Sequence, residues 1–310
     1  MATSIFSSAD VAAKHKTYDT PHLNDADFKY ICTMAYKYCG LDIRPGKERL
    51  VQSRLTKLMR QLDIRSFREY CNYLEEDSDG QALSSMVDCL TTNHTGFFRE
   101  EQHFRFLTST IVPAIHDRQQ IDIWSAACST GEEPYSLAFA LLEYFDGQGR
   151  GVPSIRILAT DISNRALTIA RKAVYSVEKF SKVPPGIVHK YMLKGYGDSQ
   201  GLLRVKPMVR ELIQFRRLNL MESFEGVGEF PLILCRNVMI YFDEPTQEKL
   251  IARFHQRLES GGYFFVGHSE SLNRIKQPMK YICPATYRRS GELLSRTSGG
   301  RDEESIRRSK

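Results

Sequence analysis

From about Gln120 onward, short apolar runs alternate with helix-length segments, and this alternation leaves few folds open to the chain. A strand is predicted over residues 121–127, a helix over 132–145, and a second strand over 155–160 that ends at Asp161. A helix over 164–174 follows, then a strand over 230–235, a helix over 245–258 and a strand over 263–266. Strands this short, separated by helices of about 10–15 residues, predict a mostly parallel sheet with helices on both faces. Ligands of such doubly wound α/β sheets bind at the carboxyl ends of the strands, near the topological switch point.

One stretch breaks the alternation. Residues 175–217 contain KGYGDSQGLLRV (194–205), a Gly-rich turn leading into a strand-like run, and a second run around 212–216. They read as a small antiparallel β insertion hung on the main sheet. Residues 23–90 are helical in pattern throughout. Asn24 or Asp25 caps a helix carrying Phe28, Ile31, Met34 and Ala35, and Gly40 ends it. A second helix follows Pro45, and on it Val51, Leu55, Leu58, Met59 and Leu62 share one face. A third carries Phe67, Tyr70 and Leu74, and a fourth carries Leu83, Met86, Val87 and Leu90. The tails, residues 1–22 and 289–310, are polar and expected to be mobile.

Composition excludes several classes. No stretch approaches the roughly 18 apolar residues of a membrane span, and residues 1–22 do not read as a secretory signal. The seven cysteines are odd in number and lack metal-ligand spacing, so a reducing, cytoplasmic setting and no structural metal are expected. The net charge of +6 suggests an acidic partner without choosing among nucleic acid, membrane and protein.

The chemistry-bearing residues cluster at strand ends. In SAACSTGEEPYS (125–136), small residues let a ligand approach the backbone before a helix begins, although Gly131 is its single glycine and a pyrophosphate cradle is poorly supported. A plain tight turn explains this junction equally well. Asp161 closes the second strand, where a carboxylate accepts hydrogen bonds from both hydroxyls of a ribose, or else caps the next helix. A ribose site without a phosphate cradle points to an adenosyl cofactor lacking phosphates, of which S-adenosylmethionine is the commonest.

TTNHTGFFRE (91–100), SAACSTGEEPYS (125–136), CRNVMIYFD (235–243) and GHSE (267–270) together resemble the chemotaxis receptor methyltransferase (CheR) family, over about residues 22–288. The resemblance implies a class I methyltransferase domain over 91–288, preceded by an all-α receptor-docking domain over 23–90. It implies a protein-glutamate O-methyltransferase that esterifies chemoreceptor side chains with S-adenosylmethionine. It also implies a cofactor site made of Asn93, Thr95, Arg99, Gly131, Glu133, Asp161, Asn219, Leu220, Arg236 and Asn237. The family pattern often has alanine where this chain has Cys128, and a thiol there suggests sensitivity to alkylation.

A substrate glutamate is already ionised at neutral pH, so no general base, nucleophilic cysteine or metal is required. Orientation remains, and Arg99 is the expected carboxylate-steering group, with Tyr241 lining the methyl-transfer pocket or merely packing in the core. On the second helix Lys47, Arg49, Arg54, Lys57 and Arg60 form a basic face. Such faces are usually only solvated; the acidic receptor bundle that the resemblance implies favours docking of the chemoreceptor cytoplasmic domain. In some family members the inserted subdomain binds a receptor's C-terminal peptide, and the full-length loop here makes Gly195, Gly197, Gly201 and Arg204 the expected peptide site, with a peptide adding as an extra strand. A monomer recruited to membrane receptor arrays satisfies all of this. The competing readings are a nucleic-acid methyltransferase and a non-catalytic receptor-binding module. The first lacks an Asn-Pro-Pro-Tyr type of motif, and the second has no need of so many cofactor-binding groups.

Overall fold

The computed structural model describes residues 21–91, 95–149 and 151–293. Asn93 and most of both tails lie outside the described residues. Helices α1 (Asp25–Cys39), α2 (Glu48–Gln61), α3 (Phe67–Glu75) and α4 (Gln81–Leu90) come first. The Asn24 side chain caps α1 by accepting the Asp27 N–H at 2.8 Å, and Gly40 ends it in the left-handed conformation at φ +72°. The four helices pack around Ile31, Leu55, Met59, Phe67, Tyr70 and Met86 as a core of their own. Leu62 departs from the expected apolar face: it lies just past the end of α2 and is 39% exposed.

The chain then runs through α5 (Glu101–Phe106), a π-helical turn and α6 (Val112–Ile115) into β1 (Gln120–Ala126). There follow α7 (Glu132–Gly147), β2 (Ser154–Asp161), α8 (Asn164–Lys172), β3 (Val174–Ser176), α9 (Pro185–Tyr191), β4 (Met192–Lys194) and β5 (Leu202–Val205). The remaining elements are α10 (Pro207–Arg210), β6 (Ile213–Arg217), β7 (Phe230–Cys235), α11 (Glu244–Arg257), β8 (Leu258–Phe265), β9 (Lys280–Cys283) and β10 (Thr286–Arg288).

Seven strands form one sheet in the order β6-β2-β1-β7-β8-β10-β9. The first five are parallel, and β10 runs antiparallel to both β8 and β9. Strand order reverses between β1 and β7, which places the switch point there. Both sheet faces are covered, as the unbroken apolar character of β7 demands. Ile121 and Ile123 of β1 enter the core that holds Phe139, whereas Trp124 enters the opposite core among Phe224, Phe230 and Phe254.

Two boundaries need correction. The insertion is a three-stranded antiparallel sheet of order β3-β5-β4 that ends at Val205. The run around 212–216 is not part of it: β6 pairs in parallel with β2 and forms the main sheet's edge. An edge strand half-exposed on one side alternates like a hairpin strand, so periodicity could not separate the two. The C-terminal tail also begins later than residue 289. The Arg289 N–H donates to the Gly262 carbonyl at 2.9 Å, and Leu293 packs against the core.

Gly131, expected to contact the cofactor, has a different task. It precedes α7 at φ +95°, and a Cβ there would lie 2.9 Å from Ala170 Cβ and 3.0 Å from the Tyr175 hydroxyl. It lets α7 start against α8 and β3. Gly131→Ala is therefore expected to destabilise the protein by about 1–3 kcal/mol, from overpacking and a disfavoured φ, in urea unfolding.

Candidate functional site

At the carboxyl ends of β1, β2 and β7 a cavity opens, walled by the loops that leave these strands and by the helical region. Its floor is the loop from β1 to α7. Ala127 (φ +61°), Ser129 (φ +50°) and Gly131 alternate in the left-handed region, which turns the backbone sharply beneath the cavity. The Cys128 N–H anchors the loop on the Thr160 carbonyl at 2.9 Å. Among the described residues, eight non-glycine positions have positive φ, and five of them (Phe98, Glu100, Ala127, Ser129 and Asn237) lie at or beside this cavity. Strain gathered in one place marks a built site.

Asp161 stands at the end of β2 and lines the cavity. One carboxylate oxygen accepts the Ser129 N–H at 2.7 Å and the other the Ser163 N–H at 2.9 Å. It is not the cap of α8, because that role belongs to the Ser163 hydroxyl, which accepts the Ala166 N–H at 3.0 Å. Burial pushes the Asp161 carboxyl up to about 6, against the lowering effect of those two amides.

Arg236, just past the end of β7, is buried. Its guanidinium donates to Glu133 at 2.7 Å, to Glu100 at 2.8 Å and to the Arg99 carbonyl at 2.5 Å. Glu133 in turn accepts the Ser125 hydroxyl at 2.7 Å. Burial opposes ionisation of Glu100, but Arg236 outweighs it and holds the carboxyl below its usual range. Asn237 follows at φ +59°, and its amide nitrogen lies 3.3 Å from Glu100.

Thr95, Arg99, Glu133, Asp161, Asn219, Leu220, Arg236, Asn237 and Tyr241 all line this one cavity, although they come from segments nearly 150 residues apart. Their tasks differ. Asn219 is turned outward to the helical region, donating to the Tyr38 carbonyl at 2.6 Å. Gly131 is absent from the lining, and Asn93 lies outside the described residues. Cys128 does line the cavity, yet burial raises its thiol well above the ordinary value, so the alkylation sensitivity expected there is not supported.

The sequence reading missed part of the wall. Cys39 and Leu41 from the end of α1 and Val87 and Asp88 from α4 close the cavity from the helical side. The Asp42 N–H donates to the Tyr241 carbonyl at 2.8 Å, and the Tyr36 hydroxyl to Asp243 at 3.0 Å, which fixes this lid of helices. Periodicity along α1 and α4 shows a buried stripe but not which neighbour covers it. Glu100 was also missed, although it follows Arg99 directly.

The residues fit an adenosyl ligand. The paired oxygens of Asp161 suit a vicinal diol, Leu41, Ile162 and Leu220 offer apolar walls for a purine, and Glu133 supplies negative charge for an ammonium group. Among the described residues, Glu100, His103 and His268 bring possible metal-ligand atoms within 4.8 Å of one another. Glu100 is already engaged by Arg236, whose positive charge would oppose a cation there.

Comparison with known proteins agrees with this geometry. Residues 93–287 match the model described as CheR methyltransferase, SAM binding domain, and residues 26–91 match CheR methyltransferase, all-alpha domain. The chain belongs to the CheR methyltransferase family. A chemotaxis protein methyltransferase of Borreliella burgdorferi is 38% identical, covering 83% of this chain and 92% of that protein. Chemotaxis protein methyltransferase 2 of Pseudomonas aeruginosa is 40% identical over 86% and 94% of the two chains. The Escherichia coli chemotaxis protein methyltransferase is 36% identical over 82% and 87%. This CheR protein is thus an S-adenosylmethionine-dependent methyltransferase of chemotaxis adaptation.

Two outcomes follow for it. Arg236→Met leaves Glu100 and Glu133 buried without a counter-charge and should cost about 3–5 kcal/mol in chemical denaturation. The second concerns pH. In the free protein Asp161 takes up a proton below about pH 6, and the protonated carboxyl is the poorer acceptor for ribose hydroxyls. S-adenosylhomocysteine affinity measured by calorimetry should fall up to about tenfold per pH unit below that point. Asp161→Asn should bind weakly and lose this dependence.

Proposed function

We propose that this methyltransferase esterifies glutamate side chains in the cytoplasmic domains of chemoreceptors, giving glutamyl methyl esters and S-adenosylhomocysteine. One observation carries the reading. Among the described residues, the cavity lining contains no histidine or lysine, and its carboxylates Asp88, Glu133 and Asp161 already accept hydrogen bonds from protein donors. Such a site suits a nucleophile that needs no deprotonation, and a glutamate with a pKa of about 4.3 is such a nucleophile.

When bound, the cofactor supplies an electrophilic methyl group on its sulfonium. The chain does the holding. Asp161 takes the ribose, Glu133 the ammonium group, and Thr95 and Arg99 the amino-acid end, with Asn93 assigned to the same end. Asn219, Leu220 and Asn237 complete the wall, and Arg236 holds Glu133 and Glu100 in place. Arg99 steers the incoming carboxylate and Tyr241 shapes the pocket that receives it, so oxygen, methyl and sulfur come into line.

The basic face of α2 is the docking surface for the acidic receptor bundle, and it recruits the enzyme to membrane arrays. Lys47, Arg49, Lys57 and Arg60 are exposed there. Arg54 is removed from the set: it turns back and donates to the Leu90 carbonyl at the end of α4, where a cation favours the helix dipole.

The peptide site is also revised. Gly195, Gly197 and Gly201 belong to the hairpin between β4 and β5, and Arg204 is on central β5, paired on both sides with Val174 and Leu193. Strand addition therefore belongs to an edge, and β4 presents Leu193 and, just beyond it, Tyr196 at 79% exposure. Titration with receptor C-terminal peptides should give saturable binding that Lys194→Pro, which removes an N–H on the free side of β4, abolishes; no binding across the peptides would remove this part of the proposal.

The ester itself is tested with methyl-labelled S-adenosylmethionine and receptor cytoplasmic fragments. Label released as methanol by mild base, reduced at least about tenfold in Arg99→Ala, is the expected result. Base-stable label on nucleic acid would instead favour the nucleic-acid reading.

A further inference from the structure

Glu270 lies outside the cavity and is buried, at the end of the turn that follows β8. One of its oxygens accepts the N–H of Asn237 at 2.7 Å and of Gly267 at 2.6 Å, and the other accepts the N–H of Ile240 at 3.2 Å. The Met239 N–H points to the same carboxylate. These donors, apart from Gly267, belong to the loop after β7 that carries Arg236, Asn237 and Tyr241 into the cavity wall. Asn237 stands there at φ +59°, a conformation that a non-glycine residue keeps only when its surroundings impose it.

Gly267 completes the seat. A Cβ at this position would lie 2.3 Å from the Asn237 side-chain Nδ2 and 2.8 Å from a Glu270 oxygen, so a larger residue would push one or both side chains out of place. A carboxylate suits this place because it accepts on both oxygens. A glutamine offers one acceptor and would set its own N–H groups against backbone donors.

We propose that Glu270, seated by Gly267, is a positioning residue for methyl transfer: it holds the Asn237–Tyr241 turn, and so Tyr241, in the geometry that receives the substrate. The inference rests on the methyl-transfer reading above. Most of the cofactor wall is held elsewhere, because Arg236 is pinned independently by Glu100 and Glu133 and Asp161 lies on another strand, while Asn237 belongs to both the turn and the wall. Burial raises the Glu270 carboxyl, and the backbone N–H groups of Gly267, Asn237, Ile240 and Met239 oppose that rise.

The test uses the full-length protein with Glu270→Gln and Gly267→Ala. Three quantities are measured: hydrogen exchange over residues 235–242, S-adenosylhomocysteine affinity, and the single-turnover rate on receptor fragments. Both variants should exchange faster in that segment and lose at least about tenfold in rate, with a clearly smaller loss of affinity transmitted through Asn237. Unchanged exchange, or faster exchange without a loss of rate, would overturn the inference. Equal losses of rate and affinity with a lowered unfolding midpoint would reduce Glu270 to a stabilising group and overturn it too. If the wild-type protein formed no ester, the substrate reading would fall, and exchange with affinity would still decide whether Glu270 holds the turn.

Discussion

The guanidinium of Arg236, held between Glu100 and Glu133, is the contact on which the rest of the site depends. It joins the end of β7, the segment before α5 and the first turn of α7, and it also takes the Arg99 carbonyl. Three charges removed from water are tolerable only if the geometry satisfies nearly all of their hydrogen-bonding capacity. Here it does, because the planar fork of arginine meets two carboxylates and a carbonyl at once. The same burial acts on the neighbouring His103, whose imidazole is pushed down to about 3 and stays neutral beside Arg236. A partial assembly of these segments would leave a charge unpaired, so the site forms as a unit.

The parallel sheet supplies the rigid frame for that unit, and strained loops supply its surface. Five strands end at one side, and the loops leaving them carry left-handed residues at Ala127, Ser129 and Asn237. Each such residue is unfavourable alone. The Thr160 carbonyl, Asp161 and Glu270 impose them through hydrogen bonds to the backbone. Close approach of backbone to ligand is what these turns obtain.

The helical region does more than present a basic face. Through Tyr38, Asp42 and Tyr36 it is tied to Asn219, Tyr241 and Asp243, and its residues Cys39, Leu41, Val87 and Asp88 finish the cavity. The basic face of α2 and the cavity wall from α1 and α4 thus belong to one packed unit. Arg54 shows the same economy of local electrostatics, since it serves the end of α4 and leaves the surface charge to its neighbours.

Much of this was legible in the chain itself. Alternation of apolar runs determined the order of strands and helices from β1 to β8, because strand and helix periods are local properties of covalent geometry. A carboxylate closing an apolar strand marked Asp161, since such a group is costly there without a use, whereas Arg236 and Asn237 were indicated by the family resemblance. What local pattern could not decide was partnership. Assignment of β6 to the main sheet, the inward turn of Arg54, the packing task of Gly131 and the cavity wall from α1 and α4 all depend on which distant element lies opposite. Glu270 is the clearest case: its sequence neighbours announce a turn, but only the approach of the β7 loop, some 30 residues away, supplies its donors. Long-range proximity comes from burying both faces of the sheet at once, a property of the folded whole.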